Sequence, residues 1–194
     1  MNHKSILEIQ ISPFKDVFLA QTEKLFIEYP QTFSDEDRHH WRQNLLTFLL
    51  KKEPDTFIFT AHETQNVIGA IMFHRDNKAV EKYWEIDWLV VKKDAQKQGI
   101  GTQLVKFAFK HIKEKDGKHV YLRTSSGEYN QSTLHFYKKI GFEKLANLPD
   151  YYSFTTNRHT YVENAVFPSL RNCLNTFLHN PLLPSNFPSE LHFK

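Results

Sequence analysis

The chain has 194 residues, 40% of them apolar and 14% aromatic, a composition typical of one globular domain rather than a disordered segment. Its formal net charge of +3 comes from dispersed basic residues, which disfavours nucleic-acid binding. No stretch approaches the roughly 18 apolar residues of a membrane span, and the N-terminus shows no apolar signal region. We therefore expect a cytoplasmic protein with neither a membrane nor a nucleic acid as partner.

Cysteine and histidine predict neither a disulfide nor a metal site. Cys173 is the single cysteine and cannot form a disulfide within the chain, and its position on an apolar stripe favours a small core residue over a nucleophile. The 11 histidines lack the paired helical spacing, beside an acidic ligand, that a metal site requires. We predict no metal.

The first part of the chain predicts a strand and two helices. Residues 6–11 alternate as a strand, which Pro13 breaks before the first helix. Ser34 and Asp37 have the spacing of a capping box, and Lys51 lies in the last turn of the helix that they begin. The apolar positions are Phe14, Val17, Phe18, Leu25 and Phe26 in the first helix and Trp41, Leu45, Phe48 and Leu49 in the second. We expect the pair of helices to cover one face of a sheet.

The middle of the chain predicts three strands and a helix. Two β-rich runs, at residues 57–62 and 67–74, are joined across residues 63–66, which is typical of an antiparallel hairpin. Residues 84–91 alternate and predict a third strand. The helix that follows carries one apolar stripe, formed by Ile100, Leu104, Ala108 and Ile112.

Two glycines lie where this helix begins. At a helix N-terminus the free N–H groups and the helix dipole form an anion site, and the absence of side chains at Gly99 and Gly101 lets a phosphate approach the backbone. A P-loop is excluded because Thr102, not lysine, follows Gly101. A Rossmann fingerprint is disfavoured because Leu104 occupies the position of its third glycine.

Two later helix ends are also predicted at glycines. The helix after the glycine loop ends at Asp116 and Gly117, with Gly117 as the C′ residue, and a strand at residues 120–125 follows. The next helix ends at Gly141 in the left-handed conformation, and Phe142 supplies the apolar contact of a Schellman cap.

Two segments together resemble the GNAT superfamily of acyl-CoA-dependent N-acyltransferases. The pattern Gln-x-x-Gly-x-Gly at residues 96–101, after a strand, is similar to the superfamily's pyrophosphate loop. Asn130, then Tyr137, then the pair Gly141 and Phe142 have the order and spacing of its other cofactor segment. Because the first pattern is short, the agreement of both segments carries the resemblance.

The resemblance covers residues 6–163 and ends in a strand that reaches about residue 163. It implies an α/β fold of the α+β type: the GNAT fold, with a mixed, mostly antiparallel and splayed sheet of about seven strands and helices on both faces. We predict a GNAT domain at residues 1–163, and at 164–194 a helix and proline-containing tail that is no separate domain. The tail's apolar stripe, at Leu170, Cys173, Leu174, Phe177 and Leu178, must pack on the domain or on a second copy, so monomer and homodimer both stay open.

The resemblance implies acetyl-CoA as co-substrate. Its pyrophosphate would lie on the backbone of residues 96–101, and its pantetheine arm would pair with the strand end at Leu89 and Val91. The amide of Val90 or Val91 would polarise the thioester carbonyl. The implied cofactor-binding residues are Leu89, Val90, Val91, Gln96, Lys97, Gln98, Gly99, Ile100, Gly101, Thr102, Asn130 and Tyr137.

A protonated amine must lose a proton before it can attack a thioester. Glu85 is the first candidate base, because the histone-acetylating branch of the superfamily carries its glutamate at the matching position. Asp87, on the same strand face, would orient the cationic amine, although a solvent-facing pair of carboxylates also fits. Glu128 stays open as the base, whereas Tyr121 replaces the acid that the branch acetylating ribosomal-protein N-termini uses.

Tyr137 is the candidate general acid, because a phenol can give a proton to the departing thiolate and the superfamily's matching tyrosine lies beside the sulfur. Asn130 would bond the pantetheine or the loop, or act only as a cap. Tyr151 and Tyr152 would wall an acceptor pocket. We predict transfer of an acetyl group from acetyl-CoA to a primary amine of a small molecule or peptide by direct attack; the alternative is a non-catalytic acyl-CoA-binding sensor or interaction module.

Overall fold

The structure, a computed structural model, describes residues 9–30, 32–51, 55–76, 82–125, 130–148 and 162–166. The strands are β1 (Gln10–Pro13), β2 (Thr56–Glu63), β3 (Asn66–Arg75), β4 (Tyr83–Val91), β5 (His119–Ser125), β6 (Glu143–Leu148) and β7 (Val162–Val166). The helices are α1 (Leu19–Ile27), α2 (Asp35–Lys51), α3 (Ile100–Glu114) and α4 (Gln131–Lys139), with 3-10 turns at Asp16–Phe18 and Lys93–Ala95. Cys173, Glu128, Tyr151, Tyr152 and the stripe of the C-terminal tail lie outside the described residues.

The strands form one sheet of seven strands in the order β1-β2-β3-β4-β5-β7-β6. Neighbouring strands are antiparallel except β4 and β5, which pair in parallel through the α3 crossover. Helix α3 packs on one face of this sheet and helices α1 and α2 on the other. The predicted fold class, a mixed and mostly antiparallel sheet with helices on both faces, is confirmed.

Strand β4 contributes to both apolar cores. Trp84 and Ile86 pack with the buried stripe of α3, in which Leu104 and Ile112 are fully buried. Trp88 and Val90 instead pack among residues of the two N-terminal helices. The members from those helices are Leu25, Phe26, Trp41 and Leu45. Because it is anchored on both faces, β4 is a rigid support for any side chain that it carries.

A β-bulge interrupts β4 at Asp87. Met72 of β3 is opposite Trp88, but the next residue of β3, Phe73, is opposite Ile86, so Asp87 is the extra residue. The bulge absorbs one position of the side-chain alternation. Thus Ile86 before it and Leu89 after it pack against the same core. The sequence predicts unbroken alternation over residues 84–91, and the bulge corrects that prediction.

Strands β4 and β5 separate just before the bulge. Their last pair is Ile86 with Leu122, and from Arg123 onward β5 pairs only with β7, its neighbour on the other side. Residues 87–91 therefore have no β5 partner, and the sheet opens along the end of β4. This is the splay that the resemblance implies, and it creates the space for a site.

The N-terminal predictions hold in part. Ser34 and Asp37 form the predicted capping box, since the Asp37 N–H donates to Ser34 Oγ at 3.1 Å and the Ser34 N–H donates to Asp37 Oδ2 at 2.8 Å. Pro13, however, does not lie beyond the first strand but is its last residue. It is tolerated there because β1 is an edge strand, where a missing N–H costs no ladder bond. The last strand extends to Val166, past the predicted end at about residue 163.

Of the two helix caps predicted at glycines, the one at Gly141 is confirmed and the one at Gly117 is not. Gly141 has φ of 102°, and the Phe142 N–H donates to Tyr137 O at 3.0 Å, which confirms the predicted Schellman cap. At the end of α3, Asp116 rather than Gly117 takes the left-handed conformation, with φ of 58°. The Gly117 N–H closes that cap on Ile112 O at 2.9 Å. The prediction that Gly117 is the C′ residue is therefore wrong, because Asp116 occupies that position.

Gly117 is required for space, which predicts a large effect of a single methyl group. A Cβ there would lie 2.3 Å from Ile112 Cγ2 and 2.6 Å from Trp84 Nε1, both in the core. Gly117→Ala is expected to lower the free energy of unfolding by about 1–3 kcal/mol through overpacking, measured by urea denaturation. Gly101→Ala is the control, because Gly101 lies in α3 without a positive φ and a Cβ there would come no closer than 3.3 Å to another side chain. Equal losses in the two variants would contradict the packing argument.

Candidate active site

A cavity of about 160 Å³ lies where β4 and β5 separate. Its walls come from the segment between α1 and α2, the end of β4, the loop before α3, the end of β5 and the first turns of α4. The lining residues are Tyr29, Thr32, Phe33, Asp87, Trp88, Leu89, Val90, Val91, Gln96, Arg123, Thr124, Asn130, Thr133 and Tyr137. Most of the sequence-predicted site residues on β4 and α4 are thus brought together.

The glycine loop forms the N-terminus of α3, as the sequence predicts. Gly99 is the N-cap in the left-handed conformation, and Lys97 also has a positive φ, of 59°. Ile100 is buried in the core, so only its backbone is available to a ligand. Gly101 lies close to Phe136, because a Cβ there would be 3.3 Å from Phe136 Cζ. The loop therefore presents backbone amides and a helix dipole, which suit an anion.

The end of β4 presents mainly its backbone to the cavity. Val90 is 3% exposed and packs in the core, so it can offer a ligand only its peptide groups. At Val91 the carbonyl oxygen already accepts a hydrogen bond of 2.5 Å from the Tyr29 hydroxyl. Neither Tyr29 nor this bond is indicated by the sequence patterns, because the contact joins residues far apart in the chain.

Glu85 lies in a polar network rather than in the cavity wall. It is 4% exposed, and its Oε1 accepts hydrogen bonds from Arg123 Nε at 2.7 Å and Nη2 at 2.6 Å. Its Oε2 accepts a 3.0 Å hydrogen bond from the Tyr121 hydroxyl and lies 3.8 Å from His74 Nε2. Both carboxylate oxygens are therefore engaged by the protein itself.

Asp87 lines the cavity and is half-buried. Burial raises the pKa of its carboxyl group, and the negative charge of Glu85 raises it further. Positive charge on His74, Arg123 and His40 acts in the opposite direction and lowers the pKa. A carboxylate with a raised pKa is a better base than an ordinary surface aspartate, because it binds a proton more tightly.

Tyr137 lies on α4 with its ring 5.5 Å from that of Phe142, and it lines the same cavity as Asp87. Burial raises the pKa of its phenol, so the hydroxyl keeps its proton at neutral pH. Asn130 is 3% exposed at the start of α4, and its Nδ2 donates to Thr124 Oγ1 at 2.8 Å. That bond ties α4 to β5 and thereby helps to place Tyr137.

Arg123 was not predicted from the sequence, although one signal was available. It stands two residues after Tyr121, so both side chains lie on the same face of β5. The parallel pairing of Glu85 with Tyr121 then brings both of them to Glu85. Without that register, the sequence cannot show which acid the arginine meets.

The described part of the chain contains neither a candidate metal site nor a candidate membrane span. In those residues, no three histidine, cysteine, aspartate or glutamate side chains are grouped so that they could hold a metal ion. Nor does any described helix combine the length and apolar character needed to cross a membrane.

Comparison with known proteins identifies the family. The sequence model of the acetyltransferase (GNAT) family matches residues 15–142, which contain the whole of β2 to β5 and α1 to α4. The chain therefore belongs to this family, and the family assignment made from the glycine loop and the Asn130–Tyr137 segment is confirmed.

Individual relatives are distant. N-alpha-acetyltransferase 30 of Schizosaccharomyces pombe is 26% identical over 107 residues, which are 55% of this chain and 70% of that protein. A GNAT-family protein from Desulfovibrio desulfuricans has a similar structure, with a TM-score of 0.73 and 16% identity over 84% of this chain and 99% of that one. The NatC complex bound to Gag peptide and CoA contains a chain with a TM-score of 0.64 and 20% identity, covering 83% of this chain and 98% of that one.

Proposed function

We propose that the protein transfers the acetyl group of acetyl-CoA to a primary amine by direct attack of the amine on the thioester. The observation that carries this proposal is that Asp87 and Tyr137 line one cavity, at the opening of the sheet and beside the N-terminus of α3. A base, a proton-bearing phenol and an anion site are the groups that such a transfer requires.

The donor fits the loop before α3. Gly99 and Gly101 carry no side chain between the backbone amides and an approaching pyrophosphate, and the positive end of the α3 dipole favours its negative charge. The pantetheine arm would take the place of the missing β5 partner along residues 87–91, in the manner of an added strand. An amide at Val90 or Val91 would stabilise the negative charge that develops on the thioester oxygen.

Asp87 acts as the base in this proposal, and Glu85 holds Arg123. Asp87 thus takes the role of base that the sequence analysis gave to Glu85, because the Glu85 oxygens are engaged by Arg123 and Tyr121 whereas Asp87 lines the cavity. Asp87 accepts one proton from the ammonium group, and the neutral nitrogen then attacks the carbonyl carbon as the C–S bond breaks. The nitrogen loses a second proton to the departing thiolate, so that the products are the amide and the CoA thiol, and Asp87 returns its proton to solvent. Burial raises the pKa of the Asp87 carboxyl group and so brings it closer to the pKa of the amine.

Tyr137 stabilises the departing sulfur. A thiol has a pKa of about 8.5, below the raised pKa of this phenol, so complete proton transfer from Tyr137 to the thiolate is uphill. The hydroxyl therefore donates a strong hydrogen bond to the thiolate as it leaves. Tyr137→Phe removes this donor without removing the ring that packs on Phe142.

The acceptor is an amine with one positive charge close to an apolar group. The charges of Glu85 and Arg123 neutralise each other, which leaves Asp87 to attract a cation. Phe33 and Trp88 supply aromatic surface to the same cavity. The name of the S. pombe relative and the peptide bound by the NatC complex favour a peptide α-amine. A small apolar amine satisfies the same chemistry. A panel of both, read by released CoA thiol and by product mass, distinguishes them.

Binding of the donor is tested at Gly101. Gly101→Glu places a negative charge at the N-terminus of α3 and is expected to raise the Kd for acetyl-CoA at least about tenfold, measured by calorimetry. Gly101→Ala is the control, because its methyl group adds no charge and would meet the Phe136 ring at 3.3 Å and Val91 Cγ2 at 3.7 Å. An unchanged Kd in the Gly101→Glu variant would show that the loop does not bind the donor. Binding without transfer to any amine would favour the non-catalytic sensor.

A further inference from the structure

The end of helix α1 is hydrogen-bonded to the segment that leads into the glycine loop. Glu28 Oε2 accepts a 2.7 Å hydrogen bond from the Lys93 N–H. The next residue, Tyr29, donates to Val91 O at 2.5 Å and accepts from Gln96 Nε2 at 2.7 Å. Three hydrogen bonds from two consecutive residues thus hold three points of the segment between β4 and α3. We call Glu28 and Tyr29 the α1 clamp.

The segment held by the α1 clamp needs external support. Lys97 has a φ of 59°, which is unfavourable for a residue with a side chain, and Gly99 follows with a φ of 85°. Such a backbone persists only when surrounding contacts determine it. Gln96, directly before Lys97, is exposed, so the bond to Tyr29 is what fixes its side chain against the domain. Without the clamp, the loop amides would sample orientations that do not converge on one anion.

We propose that Glu28 and Tyr29 are positioning residues that preorganise the pyrophosphate loop for the donor from the acceptor side of the cavity. Tyr29 lines the cavity together with Thr32 and Phe33. A single residue thus contacts the loop and also forms part of the cavity that would receive the acceptor. Burial raises the pKa of Tyr29 to about 12, which keeps its hydroxyl able to donate at any physiological pH. The inference rests on the proposed function, because it concerns acetyl-CoA bound at that loop.

Tyr29→Phe tests the clamp with the least disturbance, since the ring stays and only the hydroxyl is lost. The Kd for acetyl-CoA by calorimetry, and its KM in steady-state turnover, are expected to rise about three- to tenfold, the range for loss of one or two hydrogen bonds. The kcat at saturating acetyl-CoA is expected to stay within about twofold, because the hydrogen bonds that are lost join Tyr29 to Val91 O and Gln96 Nε2, not to Asp87 or Tyr137. A purely structural role would instead lower the melting temperature and leave the Kd unchanged.

Glu28 provides a rescue test. Glu28→Ala removes the acceptor of the Lys93 N–H and is expected to raise the Kd, whereas Glu28→Gln keeps an oxygen at that place and is expected to restore it. Thr22→Val is the matched control, because it removes a buried hydroxyl of the same helix, which donates to Phe18 O at 2.8 Å and contacts neither the loop nor the α1 clamp among the described hydrogen bonds. It is expected to lower stability without changing the Kd.

The outcomes separate the clamp from the proposed function. If the wild-type protein binds acetyl-CoA and both Tyr29→Phe and Glu28→Ala bind it with the same Kd, the clamp is overturned and the proposed function stands. If Glu28→Gln weakens binding as much as Glu28→Ala, the hydrogen bond that the glutamine oxygen can still accept is not what supports binding, and the positioning role is overturned. If the wild-type protein does not bind acetyl-CoA, the proposed function falls and the clamp with it.

Discussion

Asp87→Asn is expected to lower kcat by about 10²-fold or more, the usual contribution of a general base. The substitution keeps the size of the side chain and its place in the β-bulge, so the cavity should persist. Under the proposed mechanism, the substitution removes the group that takes the proton from the acceptor. If Asp87 only bound the cation, the same change would raise the KM for the amine and leave kcat nearly intact.

The pH profile of kcat/KM separates these roles of Asp87. The base must be ionised, so activity falls as the pH drops through its pKa, which burial has raised above the ordinary value. The acid limb of the wild-type profile should therefore lie above about pH 4 and be absent in Asp87→Asn. Asp55→Asn is a matched control at a surface ion pair with Arg75 and is expected to leave the profile unchanged. A wild-type kcat in Asp87→Asn would exclude the base assignment.

Arg123→Met is expected to lower the free energy of unfolding by about 2–3 kcal/mol, because it leaves the 4%-exposed Glu85 without its cationic partner. Arg123 is itself partly exposed, so the loss should fall below that of a fully buried pair. The substitution should also shift the pH dependence of catalysis in one direction. Arg123 lowers the pKa of Asp87, so its removal should move the acid limb of the pH profile to higher pH.

A double-mutant cycle measures the Glu85–Arg123 pair itself. Glu85→Gln removes the negative charge that raises the pKa of Asp87, so it should move the acid limb to lower pH, opposite to Arg123→Met. The double variant buries no unpaired charge and should be more stable than the sum of the two single losses predicts. Arg123→Lys keeps the charge and shows how much depends on the guanidinium geometry. Additive losses in urea denaturation would mean that the pair does not couple.

Local patterns in the sequence were sufficient for several helices and their caps. The helix after the glycine loop, the capping box at Ser34 and the Schellman cap at Gly141 are each present. They follow from the helical repeat and from backbone conformation alone. The sheet and the pair Asn130 and Tyr137 came instead from the resemblance to the GNAT superfamily, and both of these residues line the cavity.

The features that the sequence missed depend on long-range pairing. The β-bulge at Asp87 is defined by the register with β3, and Glu85 meets Arg123 only because β4 and β5 run in parallel at one offset. Alternation places both acids of β4 on one face but cannot say which of them enters a cavity. Tyr29 reaches Gln96 across a separation of 67 residues, for which no local pattern exists.

The separation of β4 and β5 leaves part of β4 as an unpaired strand edge in the middle of the sheet. From Asp87 onward β4 has one neighbour instead of two, and unpaired strand edges invite pairing with other chains. Proteins protect such edges with bulges and with charges placed along them. Here the bulge and the carboxylate coincide at Asp87, and Arg123 lies on the opposing strand where its β4 pairing stops. A bulge and two charged side chains therefore lie at this edge, and both features disfavour its pairing with a strand of another chain.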